Sequence, residues 1–129
     1  MVDITFLDLA DVIGIHNDQI MEYGGQADLR NFRLMHSAME MPSASFGGEW
    51  LHRDIFEMAA AYAFHISQNH PFVDGNKRTG LALALVFLEI NGISVSDPGG
   101  RLYQAVMNVS LAKLDKFGFA DILRPLSEG

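Results

Sequence analysis

The chain has 129 residues and is acidic, with 16 Asp and Glu against 9 Lys and Arg and a formal net charge of −7. This length suits a single domain spanning residues 1–129, and a hydrophobic content of 49% is enough for one core. The charge excludes a general nucleic-acid surface, which needs an excess of Lys and Arg, and the absence of cysteine excludes disulfides, thiolate nucleophiles and zinc–thiolate sites.

The N-terminal segment carries no visible targeting signal. Met1 to Ala10 lacks the basic region and following apolar run of a signal peptide. The longest apolar run, Leu81 to Leu88, is far shorter than the roughly 18 residues of a membrane span. We therefore expect a cytoplasmic protein with no membrane partner.

Two helical patterns occupy the first third of the chain. The first ends at Tyr23-Gly24-Gly25. The second spans Leu29 to Met39. Four of its residues at helical spacing are predicted to face the core, namely Leu29, Phe32, Met35 and Met39. The apolar stripe of the first helix consists of Phe6, Leu9, Val12, Ile13, His16 and Ile20.

The next segment, Met41 to His52, is rich in the turn-forming residues proline, serine and glycine. This composition predicts a mobile surface loop or a short hairpin. A third helix follows over Asp54 to Asn69. Its apolar residues keep helical spacing, namely Ile55, Met58, Ala59, Tyr62, Ala63 and Ile66. Because Pro71 disfavours helical backbone at the preceding residue, we expect His70 to be extended.

The fourth helix is predicted to be buried on nearly all sides, because every residue from Leu81 to Leu88 is apolar. Asn91-Gly92 ends it. After a short segment at Ile93 to Val95, closing helices are predicted over Arg101 to Leu111 and Phe119 to Leu123. The pattern indicates an all-α fold, a compact single-domain helical bundle around a buried central helix.

Reactive side chains are concentrated between the third and fourth helices, in His70-Pro71-Phe72-Val73-Asp74-Gly75-Asn76-Lys77-Arg78-Thr79. A helix N-terminus directs free backbone N–H groups at a ligand. A first turn containing Asn76, Lys77 and Arg78 therefore predicts an anion site, most simply a phosphate site. Asp74 can reach a divalent cation on the same phosphates, and one carboxylate with phosphate oxygens and waters is the usual environment of Mg²⁺. His70 can take a proton from an attacking hydroxyl.

Structural roles are the alternatives for these residues. A histidine before proline can be a plain turn residue, Asp74 a helix cap, and Arg78 half of a surface ion pair. Walker A spacing, an EF-hand loop and a His-Glu-x-x-His helix are all absent. Four further histidines have no partner at diagnostic spacing and are assigned to core or surface roles, namely His16, His36, His52 and His65.

The segment HPFVDGNKRTG resembles the signature of the Fic/Doc family, which combines His-Pro-Phe, an acidic residue, Gly-Asn and an arginine. The likeness to death-on-curing (Doc) proteins covers roughly Ile4 to Leu123. It includes Tyr23-Gly24-Gly25, Phe46-Gly47-Gly48, the Asp54 to Asn69 helix and the Val86 to Gly92 helix end. The resemblance implies a Fic/Doc (Fido) domain in which Met41 to His52 forms a flap.

The resemblance also implies the role of each site residue. His70 is the general base, Asp74 the magnesium ligand and Phe72 the anchor of the loop, with ATP as substrate and Mg²⁺ as cofactor. The nucleotide and phosphates are bound by Gly75, Asn76, Lys77 and Arg78. Lys77 stands where adenylyl-transferring Fic enzymes usually carry glycine. This Doc-like form implies a reversed nucleotide whose terminal phosphate faces the acceptor hydroxyl.

The implied function is that of a toxin that transfers a phosphate from ATP to a Ser or Thr hydroxyl of a target protein, in the Doc branch a translation elongation factor. The inhibitory pattern Ser/Thr-x-x-x-Glu-Gly/Asn has no good copy, since Arg124 precedes Glu128-Gly129 where Ser or Thr should stand. An antitoxin protein acting in trans is therefore the expected partner. Two alternatives remain open: a Fic-type protein adenylyltransferase (AMPylation), and a non-catalytic nucleotide- or partner-binding module.

Overall fold

The computed structural model describes residues 3–128, so Gly129 of the inhibitory pattern lies outside the described residues. Within this range the fold is all-α, as predicted, with two very short antiparallel sheets. The elements are α1 (Leu9–Tyr23), α2 (Phe32–Glu40), β1 (Ser45–Phe46), β2 (Glu49–Trp50), α3 (Ile55–Asn69), α4 (Asn76–Ile90), β3 (Ser94–Val95), α5 (Arg101–Ser110), α6 (Lys116–Leu126) and β4 (Ser127–Glu128). None of the helices in residues 3–128 is long and apolar enough to cross a membrane.

The centre of the molecule is the pair of helices α3 and α4. Helix α3 packs against α2, α4, α5 and α6, and its residues 58–63 are all buried. No side chain from Leu81 to Leu88 of α4 is exposed. The two helices are in close contact at Gly80, where a Cβ would lie 3.0 Å from the carbonyl oxygen of Ala63. This close contact fixes the first turns of α4 against the C-terminal half of α3.

Helix α2 begins only at Phe32, so its predicted start at Leu29 is wrong. Leu29 and Phe32, which the pattern assigned to the core, are 41% and 53% exposed. The residues before α2 form backbone hydrogen bonds to the loop between α3 and α4. The N–H groups of Arg30 and Asn31 both donate to the carbonyl of Pro71, at 2.7 and 3.0 Å. These bonds hold the segment in a non-helical conformation.

The segment from Met41 to His52 contains a hairpin, one of its two predicted forms. Strand β1 pairs with β2 in antiparallel register, with Ser45 opposite Trp50 and Phe46 opposite Glu49. Gly47 and Gly48 form the turn with positive φ values of 60° and 83°, which glycine adopts without steric cost. At the turn the Phe46 side chain is 87% exposed. The hairpin thus presents an aromatic side chain to solvent.

Candidate active site

His70 lies at the C-terminus of α3 in a left-handed conformation, with φ 53° and ψ 53°. Its N–H donates to the carbonyl of Ile66 at 3.1 Å, the bond that closes the end of the helix. The expectation of an extended His70 is therefore wrong. Pro71 disfavours the right-handed helical conformation at His70, but the left-handed one still allows this capping bond. The imidazole is exposed and forms no side-chain hydrogen bond within residues 3–128.

Arg30 holds the backbone of His70 from the loop before α2. Its Nε donates to the carbonyl of His70 at 2.7 Å, and its Nη2 donates to that of Asn69 at 3.1 Å. A cation at this position satisfies carbonyls at a helix C-terminus and interacts favourably with the helix dipole. Sequence reasoning missed Arg30, because these bonds go to backbone atoms 40 and 39 residues away.

The loop after His70 is organised around Phe72 and Asn76. The Asn76 side chain accepts from the N–H of Phe72 at 3.0 Å and donates to its carbonyl at 2.8 Å. The Phe72 ring is buried and stacks on His16 of α1, with ring centroids 3.6 Å apart. His16 Nε2 lies 2.8 Å from the carbonyl oxygen of Asp74 and donates to it, since a carbonyl can only accept. His16, only 1% exposed, therefore connects α1 to this loop.

Asp74 projects its carboxylate from this loop towards the end of α1. Its Oδ2 accepts from the N–H of Gln26 at 2.9 Å, whereas Oδ1 accepts no hydrogen bond from the described residues. A side chain at Gly25 would collide with Asp74, since a Cβ there would lie 3.0 Å from the Asp74 Cβ. Asp74 is thus oriented through one oxygen while the other stays available for a ligand.

The N-terminus of α4 lacks a protein cap. Gly75 takes the N-cap position with φ 82°, and no side chain accepts from the first turn. The backbone N–H groups of Asn76, Lys77 and Arg78 form no hydrogen bond with any described residue. Lys77 and Arg78 also take part in none of the ion pairs found in residues 3–128. This helix end is therefore free to bind an anion.

Arg78 lies between two tyrosines. Its Cζ is 3.7 Å from the ring centroid of Tyr23 and 4.4 Å from that of Tyr103. Tyr23 is the last residue of α1, and Tyr103 belongs to the first turn of α5. Neither tyrosine was among the predicted site residues, because their helices lie far from the motif in sequence.

These groups surround one cleft of about 800 Å³. Of the predicted site residues, all but Phe72 line it, namely His70, Asp74, Gly75, Asn76, Lys77 and Arg78. Phe72 lies beneath the loop, and the Asn76 side chain bonds to the Phe72 backbone through both Oδ1 and Nδ2, while the backbone N–H of Asn76 is available for a phosphate. The structure thus brings a possible base, one carboxylate, a free helix N-terminus and two cations to one opening.

Comparison with known proteins identifies the family. The model of the Fic/DOC family matches residues 6–88. The chain is similar to "Toxin Doc" of Mycolicibacterium smegmatis, with 34% identity over 91 residues that cover 70% of this chain and 68% of the relative. It is also similar to "Protein kinase doc" of Escherichia phage P1, with 30% identity over 116 residues that cover 90% of each chain. The chain therefore belongs to the Fic/Doc family and is a protein of the Doc type.

Proposed function

We propose that this protein transfers the terminal phosphate of ATP to a Ser or Thr hydroxyl of a target protein. The observation that carries this proposal is the convergence of His70, the Asp74 carboxylate and the uncapped N-terminus of α4 in one cleft. The relative named a protein kinase, which matches 90% of the chain, supports the same reaction class.

His70 acts as the general base in this proposal. As the acceptor oxygen bonds to the γ-phosphorus, its hydroxyl proton passes to the imidazole, the bond from the γ-phosphorus to the bridging oxygen breaks, and ADP leaves. The imidazole is exposed to the cleft, while the capping bond to Ile66 and the bond from Arg30 hold its backbone. A fixed backbone with an unengaged ring suits a group that must accept a proton from a docked substrate.

Asp74 is the proposed ligand of Mg²⁺. Among the described residues Asp74 is the only acidic side chain that lines the cleft, and its Oδ1 accepts no hydrogen bond. This donor set fits Mg²⁺, which commonly takes one or two carboxylates together with phosphate oxygens and waters. When bound, Mg²⁺ neutralises negative charge on the phosphates.

The phosphates bind to the N-terminus of α4 in this proposal. The free N–H groups of Asn76, Lys77 and Arg78 supply neutral donors, and the side chains of Lys77 and Arg78 supply two charges. Lys77 occupies a position where glycine would leave more room, and its charge favours a further phosphate group at the helix end. This supports transfer of the terminal phosphate over adenylyl transfer.

We further propose that the protein is a growth-arresting toxin, acts on a translation elongation factor and is inhibited by an antitoxin in trans. A relative named a toxin supports the first point. No glutamate lines the cleft in the described part of the chain, and Glu128 pairs with Ser94 in the sheet of β3 and β4. This supports an inhibitor that acts from another chain. The exposed hairpin of β1 and β2 offers an edge to which a target peptide can add as a strand.

The proposal is tested by label transfer in a bacterial lysate. Purified protein is incubated with Mg²⁺ and ATP labelled at either the α or the γ phosphate, beside His70→Ala and a control, His36→Ala, on the exposed face of α2. We expect γ label on a protein band with wild type and the control but not with His70→Ala. Label from the α position would identify an adenylyltransferase instead. Absence of both labels would contradict the enzymatic proposal and favour the alternative of a non-catalytic nucleotide- or partner-binding module.

A further inference from the structure

The guanidinium of Arg78 is held by aromatic rings from two other helices. Its Cζ lies 3.7 Å from the ring centroid of Tyr23 and 4.4 Å from that of Tyr103. Both tyrosines line the cleft, and both are partly exposed, at 53% and 37%. The ends of α1 and α5 thus meet the first turn of α4 at one cation.

Aromatic partners hold an arginine differently from a carboxylate. A carboxylate bonds to the N–H donors at the edge of the guanidinium and neutralises its charge. A ring packs against the planar face, which leaves the donors and the charge available. Arg78 forms no ion pair and no side-chain hydrogen bond with residues 3–128. The N–H donors of the Arg78 guanidinium therefore stay free to bind an anion, although the position of the group is restricted.

We propose that Tyr23 and Tyr103 are positioning residues that orient Arg78 for the phosphates of the nucleotide. This inference rests on the proposed function, in which Arg78 binds phosphate. Because the rings restrict the arginine before the ligand arrives, less side-chain freedom is lost on binding, and the affinity rises. The same two rings connect the cleft to α1 and α5, so the orientation of Arg78 depends on helices outside the motif.

A double-mutant cycle tests this role. Isothermal titration calorimetry measures the affinity for AMP-PNP with Mg²⁺ in wild type, Tyr103→Leu and Tyr103→Phe, each with Arg78 and with Arg78→Ala. With Arg78 present, we expect Tyr103→Leu to weaken binding about fivefold and Tyr103→Phe, which keeps the ring, to stay within about twofold. With Arg78→Ala, Tyr103→Leu should change the affinity by less than about twofold.

Two results of the cycle would overturn the inference. An equal loss from Tyr103→Leu in both backgrounds would mean that the ring contacts the nucleotide itself. No loss in either background would mean that the ring does not orient Arg78. Unchanged affinity in Arg78→Ala alone would instead reject the phosphate role of Arg78 on which the inference rests.

A measurement on the protein without nucleotide tests whether Tyr103 orders Arg78 independently of the proposed function. We refer to the packing of Tyr23 and Tyr103 against Arg78 as the clamp. ¹⁵N relaxation of the Arg78 Nε–Hε group reports side-chain order on the nanosecond timescale. We expect an ordered group in wild type and Tyr103→Phe and a mobile one in Tyr103→Leu. Equal mobility in all three proteins would overturn the clamp whatever the nucleotide affinity, whereas order without nucleotide binding would reject only the proposed function. Thermal unfolding of each variant verifies that it is folded.

Discussion

His70 has a left-handed backbone conformation that glycine adopts without strain and that is unfavourable for most other residues. In the left-handed region the Cβ approaches the following carbonyl oxygen, at a cost of about 1–2 kcal/mol. The bonds from Arg30 to the carbonyls of His70 and Asn69 help to offset this cost. A histidine at a position that favours glycine is consistent with the role as general base that we propose for the imidazole.

The first prediction compares two replacements of His70. Because glycine adopts φ 53° freely, His70→Gly should have a free energy of unfolding about 1 kcal/mol higher than His70→Ala. Both variants should fail to transfer label. Urea unfolding followed by circular dichroism measures the difference. Ala112 has a similar φ of 59°, so Ala112→Gly should stabilise the protein by a similar amount. A His70→Ala variant at least as stable as His70→Gly would contradict the strain argument.

Residues within the motif could be predicted from the sequence, whereas those that support it from other parts of the chain could not. His70, Asp74 and the cations of α4 are neighbours along the chain, so their convergence needs only one turn. His16 was assigned to a core or surface role because its partner is the backbone carbonyl of Asp74, which no side-chain spacing encodes. Arg30 also donates to a backbone carbonyl, that of His70, so no side-chain spacing in the sequence could predict its role.

At the scale of elements, helices with a buried face could be predicted, but a helix start set by tertiary contacts could not. Helical spacing of apolar residues identified α3, and the continuous apolar run from Leu81 to Leu88 identified α4. Leu29 continues the spacing of α2 but lies in a segment paired with the site loop, where Leu29 forms an isolated bridge with Phe72. The competing backbone pairing decides where the helix begins.

The second prediction concerns the crossing of α3 and α4. A Cβ at Gly80 would lie 3.0 Å from the carbonyl oxygen of Ala63 and 3.2 Å from Ser67 Oγ, so Gly80→Ala should lower the free energy of unfolding by about 1–3 kcal/mol. Because the crossing also orients the first turn of α4, nucleotide affinity should fall as well. Denaturant unfolding and calorimetric titration measure the two effects.

Gly14 supplies the matched control for this substitution. It lies in α1, and a Cβ at Gly14 would meet no other atom within 4 Å, so Gly14→Ala should raise the free energy of unfolding by about 0.5–1 kcal/mol through helix propensity alone. Equal effects of the two substitutions would show that the close approach at Gly80 does not limit packing.

At the scale of the whole molecule, the positive side chains at the cleft are opposite in sign to the net charge of the chain. The chain has a net charge of −7, yet Lys77 and Arg78 face the cleft without acidic partners among the described residues. An acidic surface disfavours nucleic acid, while a local pair of cations still attracts a small polyphosphate anion. The net negative charge thus disfavours binding of nucleic acid, while the two cations in the cleft favour binding of a small anion.

A second set of charges lies at the junction of α3 and α6 and governs how stability depends on pH. Lys116 Nζ lies 3.1 Å from His65 Nε2, so Lys116 donates to the neutral imidazole. Burial, and then Lys116 and His52, lower the pKa of His65 to about 4. His52 is fully buried, and burial followed by Lys116 lowers its pKa, although Glu57 and the backbone at Pro42 act in the opposite direction. His65 is therefore neutral in the folded protein near pH 6, and burial disfavours the charged form of His52.

The third prediction is a loss of stability on mild acidification. Between pH 6.5 and about 4 the unfolded chain binds a proton at His65 that the folded protein does not, so the free energy of unfolding falls as the pH falls. From about pH 6.5 to 5 His65 alone should account for about 1.5 kcal/mol, a range in which exposed carboxylates bind few protons. Urea unfolding across this range measures the slope. His65→Gln should lose the part of the slope due to His65, and Lys116→Met should reduce the slope partially, because burial is the larger cause of the lowered pKa of His65. An unchanged slope in His65→Gln would show that the folded and unfolded chains bind the proton at His65 equally, and would contradict the lowered pKa of His65.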